Sequence, residues 1–66
     1  MPKKIRELKA LLNRAGFEMH HGKGSHTNWY HPKYTGRVTI PGNDGADAKR
    51  YLENLVARAI KKVSAQ

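Results

Sequence analysis

Gly16-Phe17-Glu18-Met19-His20-His21-Gly22-Lys23-Gly24-Ser25-His26-Thr27-Asn28-Trp29-Tyr30-His31-Pro32 is the stretch that decides the fold, because it closes a helix and then turns back on itself as two strands. Gly16 supplies the left-handed residue that commonly follows a last helical turn. Residues 17–20 alternate apolar and polar, as a half-buried strand does, and the glycine-rich loop that begins at Gly22 interrupts them. A second strand is predicted over residues 26–31, where Pro32, which cannot donate to a ladder, ends the pairing. The loop therefore sets His26 at the start of an aromatic strand.

Outward from this hairpin the pattern is helical on both sides. Ile5, Leu8, Leu11, Leu12 and Ala15 recur at three- and four-residue steps, while Lys3, Arg6, Lys9 and Arg14 point elsewhere. After Pro32, residues 32–36 read as a turn and residues 37–40 as a third strand, and Pro41-Gly42-Asn43-Asp44-Gly45 breaks regular structure again. A final helix is predicted to start near Ala46 or Asp47, with Asp44 and Asp47 facing its exposed amides. Its apolar stripe is read as Ala48, Tyr51, Leu52, Leu55, Ala59, Ile60 and Val63, and Lys61 and Lys62 suit its negative end. The expected fold class is α+β, a two-layer αβββα domain with two helices on one face of a three-stranded antiparallel sheet. That order resembles the double-stranded-RNA-binding-domain fold.

Sixty-six residues are expected to form a single domain, 1–66. A chain this short buries only about 60% of its unfolded surface, and such a core rarely contributes more than roughly 3–5 kcal/mol. Thirteen Lys and Arg stand against five Asp and Glu, a net charge of +8 and a pI near 10.2. Nucleic acid is the default partner for such a field, although an acidic protein would satisfy the same charge. Cysteine is absent, which excludes disulfides, thiolate zinc sites and thiol nucleophiles and points to a reducing compartment, the cytoplasm. The longest apolar runs, Ala10-Leu11-Leu12 and Leu55-Val56-Ala57, are too short for a signal peptide or a membrane span, so no membrane partner is expected.

The chemistry gathers at the loop. Metal-free RNA cleavage needs a base for the ribose 2′-OH and positive charge to offset what develops on the phosphate. Neutral imidazole at His26 suits the first role. Lys23 and the backbone amides of the Gly24-Ser25 loop suit the second, since flanking glycines let the backbone approach an anion. On spacing alone, a histidine at a strand start also fits a plain surface residue. By strand parity Tyr30 shares a face with His26 and Asn28, so these residues meet RNA together with Tyr30 as a stacking platform, while Thr27, Trp29 and His31 face the opposite way. Trp29 and Phe17 are assigned to the core, and Tyr34 to an exposed turn. His20, His21 and His31 are the candidates for a general acid, though each also fits a strand-surface position. No metal and no small-molecule cofactor are expected: His20 and His21 project to opposite faces, and Glu18 is the one carboxylate near the loop. A serine nucleophile at Ser25 lacks a third orienting residue.

The run Leu12-Asn13-Arg14-Ala15-Gly16-Phe17-Glu18, followed by Gly24-Ser25-His26 and an aromatic at Trp29, resembles the HicA toxin family of bacterial toxin-antitoxin systems. The resemblance covers the first forty-odd residues, through Val38-Thr39-Ile40-Pro41. It implies a type II toxin that cleaves messenger RNA without a metal, an endoribonuclease (mRNA interferase) arresting translation and growth, neutralised by a HicB-type antitoxin protein. By matching position His26 is the catalytic histidine, and Gly24 and Ser25 form the loop presenting it. A different class of reading remains beside it, a non-catalytic RNA-binding module of the same fold in which His26 only contacts a phosphate or a 2′-OH. A small DNA-binding protein fits less well, because the last helix offers mostly Lys, Arg and Ala outward.

Overall fold

The structure, a computed structural model, describes residues 3–64. The chain runs α1 (Ile5–Arg14), β1 (Glu18–His21), β2 (Thr27–His31), β3 (Tyr34–Ile40) and α2 (Arg50–Ser64). The strands form one antiparallel sheet in the order β1-β2-β3, and both helices cover one of its faces, as the spacing predicted. Glu7 reaches back to the Lys4 amide at 2.7 Å, satisfying an amide at the start of α1. At the other end Gly16 adopts φ +98° and the Phe17 amide returns to the Leu12 carbonyl at 3.0 Å, so Gly16 stops the helix as its position indicated.

One apolar cluster joins the layers. Ile5, Leu8 and Leu12 from α1 and Leu52, Val56, Ala59 and Val63 from α2 meet Trp29, Val38 and Ile40 from the sheet. Thr27 is the buried polar residue among those described, and the Trp29 indole Nε1 donates to its Oγ1 at 3.0 Å. Phe17 packs beneath α1 against the rings of His31 and Tyr34, with centroids 5.0 and 5.7 Å away.

Several expected boundaries shift, each for a local reason. The first strand is Glu18–His21 rather than residues 17–20, and all four of its residues are exposed, Met19 included at 42%. β1 is an edge strand whose residues stay exposed on both faces, so alternation there does not produce half burial. The third strand begins at Tyr34, not Arg37, and the turn contracts to Pro32-Lys33. Between the pairs Trp29↔Val38 and His31↔Tyr34, β3 carries three residues against one on β2, an irregularity absorbed where Gly36 takes φ +83°. Tyr34 is consequently half-buried against the core instead of exposed in a turn.

The start of the last helix also moves. α2 begins at Arg50, and neither Asp44 nor Asp47 lies in its first turn. Both carboxylates turn toward α1: Asp44 accepts from Lys9 Nζ at 2.7 Å and Asp47 from Lys4 Nζ at 2.5 Å. Backbone bonds from Ile5 to Ala46 and from Arg6 to Asp44 fasten the same segment. The connection, which turns at Asp44-Gly45, is thus pinned as a strap across the start of α1, and the helix forms only beyond it. With that phase, Tyr51 is 59% exposed and Val56, 1% exposed, takes a place in the buried stripe.

Candidate functional site

The β1–β2 loop is built by its glycines. The Gly22 amide donates to the His26 carbonyl at 2.9 Å and the His26 amide to the Lys23 carbonyl at 3.0 Å, closing a tight hairpin. Gly24 sits at its tip with φ +58° and open space where a side chain would point, a conformation costly for any other residue. Ser25 Oγ accepts from the Gly42 amide at 3.3 Å, which ties the loop to the strap before α2.

His26 is exposed and stands just before β2 rather than within it. Its Nδ1 lies 3.2 Å from the Lys23 carbonyl. A carbonyl only accepts, so in the neutral ring this contact places the hydrogen on Nδ1 and the lone pair on Nε2. That is the tautomer a general base needs.

Register fixes which neighbours His26 has. The pairs Met19↔Trp29 and His21↔Thr27 turn toward the helices, while Glu18↔Tyr30 and His20↔Asn28 turn to the open face. A Cβ built on Gly22 would lie 3.5 Å from His26 Cβ and 3.2 Å from Asn28 Nδ2, so His26, Asn28 and the vacant side of Gly22 share that open face. Asn28 is oriented by the Thr39 hydroxyl, which donates to its Oδ1 at 2.9 Å. Tyr30 is 39% exposed, and the His20 ring meets it edge-on at 5.1 Å. The structure therefore brings His26, Asn28 and Tyr30 onto one surface, as strand parity indicated, and sends Thr27 and Trp29 to the core.

On the other side of the loop lies an open cleft of about 300 Å³, bordered by Lys9, His21, Gly24, Ser25, His26 and Asp44 among others. Lys23 does not line it; its carbonyl, rather than its ammonium, is what holds His26. Lys9 is the cation the cleft brings to the loop, and sequence spacing assigned it only to the polar side of α1. No local signal marks it, because Lys9 and its partner Asp44 are 35 positions apart. Among the described residues no three histidine or carboxylate side chains converge closely enough to hold a metal ion, and no helix is long and apolar enough to cross a membrane.

Residues 5–62 match a family model described as the HicA toxin of bacterial toxin-antitoxin systems, from the first residue of α1 to within its last turn of α2. The chain belongs to the HicA toxin family. Membership carries a toxin-antitoxin role, and the match extends through α2, beyond the forty-odd residues that carry the sequence resemblance. Comparison with curated proteins and with solved structures gave no match. In this HicA chain the Gly24-Ser25-His26 triplet forms the tip and exit of the β1–β2 hairpin, between the open sheet face and the Lys9 cleft.

Proposed function

We propose that this protein is the RNA-cleaving toxin of a HicA–HicB-type pair, an endoribonuclease that needs no metal and uses His26 as its general base. The observation that carries the reading is the His26 ring: exposed at a glycine hairpin, its Nδ1 turned to the Lys23 carbonyl and its Nε2 left free, in a chain of net charge +8. Nε2 takes the proton of a ribose 2′-OH as that oxygen attacks the adjacent phosphorus. The resulting chain ends are a 2′,3′-cyclic phosphate and a 5′-hydroxyl.

The remaining site residues divide by position. Asn28 supplies an amide to the ribose or phosphate on the open face, and Tyr30 a ring for base stacking. The Gly24 and Ser25 backbone approaches the phosphate, Lys23 adds charge at the hairpin, and Lys9 takes the neighbouring phosphate in the cleft. Messenger RNA is the substrate and the cytoplasm the site of action. The antitoxin is a HicB-type protein that covers His26, since masking one exposed proton-transfer group suffices for inhibition.

Induction of the chain from a tightly controlled promoter, beside a His26→Ala version, tests the reading through growth and message length. Arrest with fragmented message in the parent alone is expected. Intact message and normal growth in both, with both proteins accumulating folded, would instead favour a non-catalytic RNA-binding module.

A further inference from the structure

A base alone leaves the reaction half served. When the 2′-oxygen closes on phosphorus, the bond to the 5′-oxygen breaks, and that alkoxide needs a proton. We propose that His20 donates it, working opposite His26 across the scissile phosphate on the open face of the sheet. The proposal rests on the ribonuclease reading above.

The sheet places the two imidazoles as a pair. His20 lies opposite Asn28, and His26 precedes Asn28 by two residues on the same face, a diagonal relation that sets such residues roughly 7–8 Å apart. Gly22, just beyond β1, stands on the same face without a side chain, and Asn28 and His26 close in on it. A side chain at Gly22 would press on Asn28 Nδ2 at 3.2 Å and the His26 carbonyl at 3.3 Å. The His20 ring is held without being buried: Tyr30 meets it at 89° and Glu18 Oε1 stands 3.6 Å from its Nε2, while the side chain stays 55% exposed.

The other histidines are disposed differently. His21 is one residue along an extended strand and turns to the helical side, where it borders the Lys9 cleft that His26 also borders. His31 accepts the Lys33 amide at Nδ1 and packs its ring on Phe17. The step balances without a further reactant. His26 gains the proton of the 2′-OH, the 2′-oxygen–phosphorus bond forms, the phosphorus–5′-oxygen bond breaks, and His20 gives up one proton to the departing oxygen.

A leaving-group substitution separates proton donation from mere structural support. Two versions of a short RNA that the parent cleaves are compared, one natural and one with sulfur bridging phosphorus and the 5′-carbon at the cleaved bond. A thiolate leaves without a proton. His20→Ala is expected to slow the natural substrate by about 100-fold or more and to leave the sulfur substrate within about threefold of the parent, whereas His26→Ala slows both and His21→Ala does not distinguish the two. His20→Gln, which keeps the size of the side chain, gives the same pattern, and thermal unfolding verifies that each variant is folded. Equal slowing of both substrates by His20→Ala, or no slowing of either, overturns the proposal, as does transfer of the selective effect to His21→Ala. A parent that cleaves neither RNA overturns the ribonuclease reading itself, a result distinct from any of these.

Discussion

Replacing Thr27 by Val tests how the core holds the residue that follows His26. Thr27 is 4% exposed, and its Oγ1 accepts the Trp29 indole hydrogen at 3.0 Å. Valine keeps the shape and removes the acceptor, leaving a buried N–H without a partner. Such a loss costs roughly 1–3 kcal/mol, against a total of roughly 3–5 kcal/mol for a domain of this size. With a urea m-value of about 1 kcal/mol/M, the midpoint should fall by about 1–3 M, or the Tm by about 4–24 °C. Urea and thermal unfolding followed by circular dichroism measure both. Trp29→Phe in the Thr27→Val background removes donor and acceptor together, so the double variant should be about 1 kcal/mol more stable than the sum of the single effects implies. A Thr27→Val curve superimposed on the parent, or strict additivity of the pair, would refute the reasoning.

Other expectations follow from the same geometry. Lys9→Gln should weaken RNA binding and raise KM about tenfold with little change in kcat, because the cleft takes a neighbouring phosphate rather than the reacting one; filter binding and steady-state kinetics report both. Tyr51→Ser should shift stability by less than about 0.5 kcal/mol, whereas Val56→Ala should cost on the order of 2 kcal/mol; paired unfolding curves test this phase of α2. Gly36→Ala should cost about 1–2 kcal/mol from its positive φ alone, since nothing crowds the added carbon, and calorimetry measures it.

The element order was legible because it follows from local signals. Apolar steps of three and four in α1, the stop at Gly16 and the turn residues around the strands mark each element without reference to the rest. The last helix was legible in kind but not in phase. Asp44 and Asp47 look like helix-start residues in sequence, yet in the fold they meet Lys9 on α1 and Lys4 just before it, and that pairing holds the segment ahead of α2 out of the helix. Tyr51 then leaves the buried stripe expected for it, and Val56 joins it. β3 was read short because Tyr34 lies among turn residues, and its strand is extended by the irregular pairing around Gly36.

The site divides in the same way. The shared face of His26, Asn28 and Tyr30 follows from strand parity, which tertiary contacts did not override. Parity also separates His20 from His21, although residue type alone makes them equivalent. Lys9 and the orienting role of the Lys23 carbonyl were hidden, the first because it comes from another element and the second because it is a backbone contact.

The central claim is tested most directly by incubating purified parent and His26→Ala proteins with messenger RNA in excess chelator and determining the chemistry of the new ends. Fragments ending in 2′,3′-cyclic phosphate and 5′-hydroxyl, formed by the parent and absent with His26→Ala, are the predicted result. Intact RNA with the folded parent, or equal cleavage by His26→Ala, would contradict it.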